Sequence, residues 1–262
     1  MKEPMTSRSR VDFSLGGTAA GRMTAQLRKE SLAEDAATVI LLAEGWACIC
    51  VYGSVARGSA NASSDVDLVV VGKRRRNGLA LDRLVNARFP GEGVSIRYFN
   101  LAGARRTFLS QPNSFTQHVL RESRILVDQD HFLEQLFDRA RTLPWDSTKE
   151  MLSVRRRLRT LEPLDQYNGQ YLFFFGRLYS IAKSIVILRL LEEGQPEFDR
   201  GRAFDVYARV DPARAPEVAL LRRLEPFAHV SRANDLENLP FPPSGSHAEA
   251  AKSFRAAQSL AR

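Results

Sequence analysis

The chain has 262 residues, 44% of them hydrophobic, and its 38 Lys and Arg against 30 Asp and Glu give a formal charge of +8 and a pI of about 9.9. That length and apolar content can bury two ordinary domain cores and exclude a disordered or low-complexity chain. No run approaches the roughly 18 apolar residues of a membrane span, and Met1 to Arg10 lead into Val11-Asp12-Phe13 and not into a secretory apolar core, so a cytoplasmic protein without a membrane partner is expected.

In chain order, residues 1–22 read as an N-terminal extension, and Met23 to Glu44 has helical spacing closed by Gly45. A strand is predicted at Ala47 to Tyr52, a second at Asp65 to Val71, and a basic loop, Gly72 to Gly78 with Lys73-Arg74-Arg75-Arg76, follows. Cys48 and Cys50 alternate with Ala47, Ile49 and Val51 and are expected as core thiols, since Cys-x-Cys alone is a poor zinc site and a strained disulfide. Leu79 to Phe89 reads as a helix, Val94 to Phe99 as a strand, Ser114 to Glu122 as a helix and Arg124 to Val127 as a last short strand. Beyond that, only helices are predicted: Phe132 to Arg141, Lys149 to Leu161, a long one from Asp165 to Glu193 stopped by Gly194-Gln195-Pro196, and Ala215 to Phe227. A proline-bearing linker from Pro240 to Ser246 precedes a final helix, His247 to Arg262. The expected organisation is therefore α+β, with a small mixed sheet at 23–130 and an all-helical domain at 131–262.

The chemistry concentrates between the first two strands. Gly53-Ser54 makes a turn after one apolar run, and Asp65 and Asp67, at i and i+2, open the next. Residues i and i+2 of a strand share a face, so both carboxylates can hold one divalent cation while Val66 and Leu68 face the core. Hard oxygen ligands suit Mg²⁺, or Mn²⁺, bound together with substrate phosphates, and turn N–H groups with the Ser54 hydroxyl make an anion-binding concavity. Arg57 lies near enough to neutralise the terminal phosphates, and Ser64, next to Asp65, is grouped with the nucleotide-binding residues.

Gly53-Ser54, Arg57-Gly58 and Asp65-Val66-Asp67-Leu68 resemble the Gly-Ser…Asp-x-Asp signature of the polymerase-β-like nucleotidyltransferase superfamily, which includes antibiotic nucleotidyltransferases and nucleotidyltransferase toxins. The match is direct over about twenty residues and weaker from about Ala25 to Asp130. The resemblance implies a Mg²⁺-dependent enzyme that moves a nucleoside monophosphate from an NTP to a hydroxyl, with Asp65 and Asp67 as catalytic metal ligands. It also implies a third carboxylate on the third strand, which here reads Val94-Ser95-Ile96-Arg97-Tyr98-Phe99-Asn100 and offers Ser95 or Arg97 instead. Three accounts follow: a single well-held metal, a substitute carboxylate such as Glu92 or one on the helical domain, or nucleotide binding without turnover.

The helical half resembles the bundle that follows the catalytic domain in antibiotic nucleotidyltransferases and is expected to wall the cleft, with Tyr167, Tyr171, Arg177, Tyr179 and Lys183 on one side of the long helix either lining it or packing as core. Phe173-Phe174-Phe175 is expected as core. Basic clusters at Lys73 to Arg76, Arg105-Arg106, Arg155 to Arg159 and Arg222-Arg223 favour a polyanionic acceptor, tRNA first, as in a toxin. A cationic antibiotic is the alternative acceptor, and a catalytically weakened nucleotide-binding regulator is the other class. Arg223 and His229 have the Arg-x5-His form of a helical ribonuclease pair, which Pro226 interrupts.

Overall fold

The computed structural model describes residues 19–73, 78–110, 112–167, 171–228 and 246–262. The extension through residue 18, Arg74-Arg75-Arg76, His229 and the linker from Pro240 to residue 245 lie outside the described residues. Two compact units emerge. One comprises the chain up to Asn100 with Arg124–Gln129, the other Leu101–Ser123 with Asp130–Arg262. The expectation drew a single cut after Asp130, whereas residues 101–123 group with the helices and only the short strand after them returns to the sheet.

The first unit is a four-stranded mixed sheet in the order β3-β2-β1-β4, with β1 Ala47–Tyr52, β2 Val66–Gly72, β3 Val94–Asn100 and β4 Arg124–Val127. β1 runs antiparallel to β2, pairing Tyr52 with Asp67, and antiparallel to β4. β2 runs parallel to β3, pairing Asp67 with Ser95 and Val69 with Arg97. That parallel pair needs a crossover, supplied by α2 (Gly78–Arg88). Strand alternation sends Ile49, Val51, Val66, Leu68 and Val70 to one face, where they pack with Leu32, Ala33, Ala36 and Ile40 of α1 (Ala19–Glu44) and Leu81 and Val85 of α2. Cys48, Cys50, Tyr52, Asp67, Ser95 and Arg97 belong to the other face. Both cysteines are buried free thiols, as their place in the strand predicts.

In the second unit, α3 (Leu101–Arg105) widens into a π turn at Arg106–Ser110, and α4 (Ser114–Glu122), α5 (Phe132–Arg141), α6 (Thr148–Arg159), α7 (Leu172–Glu192), α8 (Arg200–Val210), α9 (Ala215–Arg222) and α10 (Ser246–Leu260) follow. A capping box starts α4, Asn113 accepting from the Thr116 N–H and Thr116 Oγ1 accepting from the Asn113 N–H. α7 contributes more to the core than any other helix, through residues such as Phe174, Phe175, Leu178, Ile185 and Leu188. It ends as expected: Gly194 takes φ +68°, the Gly194 N–H bonds the Leu191 carbonyl, and the Gln195 N–H bonds that of Leu190. Its start differs, because Leu164–Tyr167 forms a separate 3₁₀ turn after Pro163 and the helix begins only at Leu172. α8 was not anticipated; Asp199 caps it by accepting from the Gly201 and Arg202 N–H groups. Among the described residues no helix is long and apolar enough to cross a membrane.

Candidate active site

The site is built where β1 gives way to the loop before β2. Gly53 adopts φ +75°, a conformation that favours glycine, and a Cβ there would lie 3.2 Å from Asp67 Oδ2. The missing side chain thus lets the Asp67 carboxylate sit against the turn. Three backbone bonds then curl the loop: Arg57 N–H to Gly53 O at 3.0 Å, Gly58 N–H to Val55 O at 3.2 Å, and Ser59 N–H to Ser54 O at 2.9 Å. The N–H groups of Ser54, Val55 and Ala56 and the Ser54 hydroxyl donate to no partner among the described residues. A run of N–H groups left over by a tight turn is what an anion-binding concavity requires.

Sequence reasoning missed the residue that holds this loop. Gln26 of α1 donates from Nε2 to the Val55 carbonyl and accepts the Ala60 N–H on Oε1, each at 2.8 Å. One helix side chain therefore spans both limbs of the turn. A glutamine on a helix face is ordinary in a sequence, and nothing in its spacing marks this role.

The two aspartates are presented differently. Asp65 precedes β2, is exposed, and makes no hydrogen bond or ion pair among the described residues. Its carboxylate lies over Gly93, where φ is +64° and a Cβ would come within 2.4 Å of Asp65 Oδ1. The Val66 N–H bonds the Gly93 carbonyl at 2.9 Å and fixes this approach. Asp67 lies inside β2, half-buried, between Tyr52 on β1 and Ser95 on β3. Each carboxylate thus sits beside a glycine of a neighbouring chain segment.

Tyr52 and Arg97 meet on the same sheet face. The Arg97 guanidinium donates to the Tyr52 hydroxyl, reaching across β2 from the next strand. Burial, first, and the nearby Asp67 charge, second, push the Tyr52 phenol well above its ordinary value, while Arg97 acts in the opposite direction. Tyr52 therefore stays protonated through the neutral range and is no base.

The remaining candidates have partners that the sequence did not show. Glu92 is engaged by Arg28, which makes an ion pair with it, and by Lys29, whose Nζ lies 3.3 Å from Oε2 and 2.9 Å from the Glu92 carbonyl. The hydrogen bond from Arg28, above all, lowers its carboxyl below the usual range. Its carboxylate is thus held by two cations of α1. The Ser64 hydroxyl is engaged within its own loop, accepting the Asn61 N–H at 3.0 Å and donating to Asn61 Oδ1 at 3.2 Å, so Ser64 shapes the approach to Asp65. Tyr171 is 4% exposed among Tyr167, Phe174 and Phe175, and Tyr179 is 2% exposed and stacked on Phe204, so both tyrosines belong to the helical core. Lys183 is half-buried on α7. Phe174 and Phe175 are core as expected, but Phe173 is 58% exposed, because three successive helix positions cannot all face inward.

Among the described residues no group of three or more His, Cys, Asp and Glu could hold a metal ion. The donor set that remains, Asp65 and Asp67, is all oxygen, which fits Mg²⁺ or Mn²⁺ when a triphosphate supplies further oxygens. Residues 44–140, from the end of α1 into α5, match the family model of the nucleotidyltransferase domain. No curated protein matches the chain.

Proposed function

From the premise that residues 44–140 form a nucleotidyltransferase domain of the polymerase-β-like superfamily, we propose that the chain moves a nucleoside monophosphate from an NTP to a hydroxyl on RNA, with tRNA as first candidate. The observation that carries the chemistry is the pair of Asp65 and Asp67 beside the open N–H groups of the Gly53-Ser54 turn. In the reaction the acceptor oxygen bonds to the α-phosphorus as the bond from that phosphorus to the α,β-bridging oxygen breaks. Pyrophosphate leaves and the hydroxyl proton passes to solvent. Asp65 and Asp67 would hold Mg²⁺ or Mn²⁺, which when bound neutralises charge on the phosphates and positions them. The turn N–H groups and Ser54 orient the leaving phosphates, Arg57 contributes positive charge near them, and Gln26 keeps the turn in shape.

The acceptor is argued from charge. Arg156, Arg157 and Arg159 of α6 are exposed and form no ion pair among the described residues, which suits a polyanion and repels a cationic antibiotic. Other basic clusters are partly occupied: Arg222 pairs with Asp205, and Arg155 bonds the carbonyls of Ala261 and Arg262. The absent third carboxylate supports a second reading, a nucleotide-binding regulator of weak turnover. Incubation of the protein with each α-³²P-labelled NTP, Mg²⁺ and either total tRNA or an aminoglycoside panel separates them. Label on tRNA that disappears with Asp65→Ala and Asp67→Ala is expected. Label on the drugs would move the acceptor, and NTP binding without any transfer would favour the regulator.

A further inference from the structure

We propose that the Arg97 guanidinium takes the part of a second cation, so that the site works with one divalent ion in place of two; this rests on the nucleotidyl-transfer reading above. The register puts Arg97 on the face that carries Asp67, one pair further along the parallel β2–β3 ladder, on the edge strand of the sheet. Its side chain, exposed on this edge, also meets the Tyr52 hydroxyl across β2. Tyr52 itself is paired with Asp67 across the β1–β2 ladder. The three side chains therefore share one sheet face in adjacent ladder pairs, which sets a guanidinium on the face of the half-buried carboxylate.

Charge balance supports the exchange. Three carboxylates with two divalent ions sum to one positive charge, and so do two carboxylates, one divalent ion and a guanidinium. A two-metal arrangement needs ligands for the second ion. Here Ser95 is a neutral hydroxyl, Glu92 is engaged by Arg28 and Lys29, and a group of three metal-binding side chains is lacking among the described residues. A planar guanidinium is suited to two oxygens of one phosphate, so Arg97 is assigned the nonbridging oxygens of the α-phosphate, where negative charge builds as the acceptor attacks. Unlike a metal, it supplies no bound hydroxide. The acceptor proton then leaves to solvent, and turnover depends on positioning and charge alone.

The test counts metal on the full chain. Mn²⁺ uptake, followed by the loss of the free-ion EPR signal, is measured with each of the four α,β-methylene nucleoside triphosphates in turn. One Mn²⁺ per chain–nucleotide complex is expected for the native protein, and a second equivalent for Arg97→Glu, which restores a carboxylate. Two Mn²⁺ in the native complex would overturn the assignment and leave the transferase reading standing. No nucleotide-dependent uptake would overturn both. Should Arg97→Glu fail to fold, Arg97→Gln gives the independent readout: kcat falls about 100-fold at nearly constant NTP KM, and added methylguanidinium restores part of it. A variant that loses only NTP affinity, or shows no rescue, refutes a role in the transition state.

Discussion

Gln26→Ala is the most telling perturbation of the phosphate loop, because it changes no charge and keeps α1 helical. It removes both side-chain bonds to the loop at once, to Val55 O and from the Ala60 N–H, each 2.8 Å long, along with the Nε2 bond to Glu30 Oε1 within α1. A neutral hydrogen bond contributes about 1 kcal/mol net, and Ala60 is 3% exposed, so its orphaned N–H adds a desolvation penalty of about 1 kcal/mol or more. The loop conformation then loses about 2 to 3 kcal/mol relative to its open forms. Only the closed loop offers its N–H groups, so apparent NTP affinity falls with the closed fraction, by up to about 30-fold for 2 kcal/mol. Fluorescent-NTP titration measures it, with a denaturant melt alongside. Gln26→Glu keeps the acceptor for Ala60 but sets a carboxylate oxygen against the Val55 carbonyl and the Glu30 carboxylate, so its affinity should also fall well below that of the native chain. If Gln26→Ala binds NTP within twofold of the native chain while melting normally, the loop does not depend on this clamp and the reasoning fails.

Gly93→Ala should cost about 2 to 3 kcal/mol in urea denaturation and reduce transfer, because the new Cβ would stand 2.4 Å from Asp65 Oδ1 at a φ of +64°. Phe174→Ala should cost about 3 to 5 kcal/mol, whereas Phe173→Ser, at 58% exposure one position earlier, should stay within about 0.5 kcal/mol by the same measurement. Glu92 is depressed below its ordinary value of 4.5 by Arg28 and Lys29, so its contribution to stability is complete above that value and is lost as the pH falls through the lower folded value. Thermal melts of native and Glu92→Gln protein from pH 6 to pH 3 should therefore converge as acid is added, and parallel curves would count against the ion-pair cluster.

The strands and the aspartate pair were legible because both are local patterns. Alternation fixed the faces of β1 and β2, and Asp65 and Asp67 in a valine-rich segment have no structural reason of their own. The surroundings of Ser64 and Glu92 were not legible for a shared reason: their partners, Asn61 in a side-chain turn and Arg28 with Lys29 on a distant helix, leave no periodic trace. For Tyr171 the sequence left cleft lining and helical core both open, because helical spacing says which residues share a face but not what covers that face, and its burial places it in the core. α8 was hidden by Gly201 within a charged stretch, although Asp199 two residues earlier is the kind of residue that opens helices. Gln26 shows the deeper limit, since its role exists only once a loop 29 residues onward has folded against it.

The passage of the chain between its two units has a practical consequence. The backbone leaves the sheet after Asn100, returns for residues 124–129 and leaves again. The segment of family likeness, 44–140, opens at the last residue of α1, so a fragment cut to it would discard Leu32, Ala33, Ala36 and Ile40, which cover the sheet, and Gln26, which shapes the loop. A cut after residue 130 instead would strip α4 from the helices it folds with. What is heritable as a recognisable sequence block and what is able to stand as an independent body are different objects here. Any transplant of this activity into another protein would have to carry α1 and β4 along with the motif.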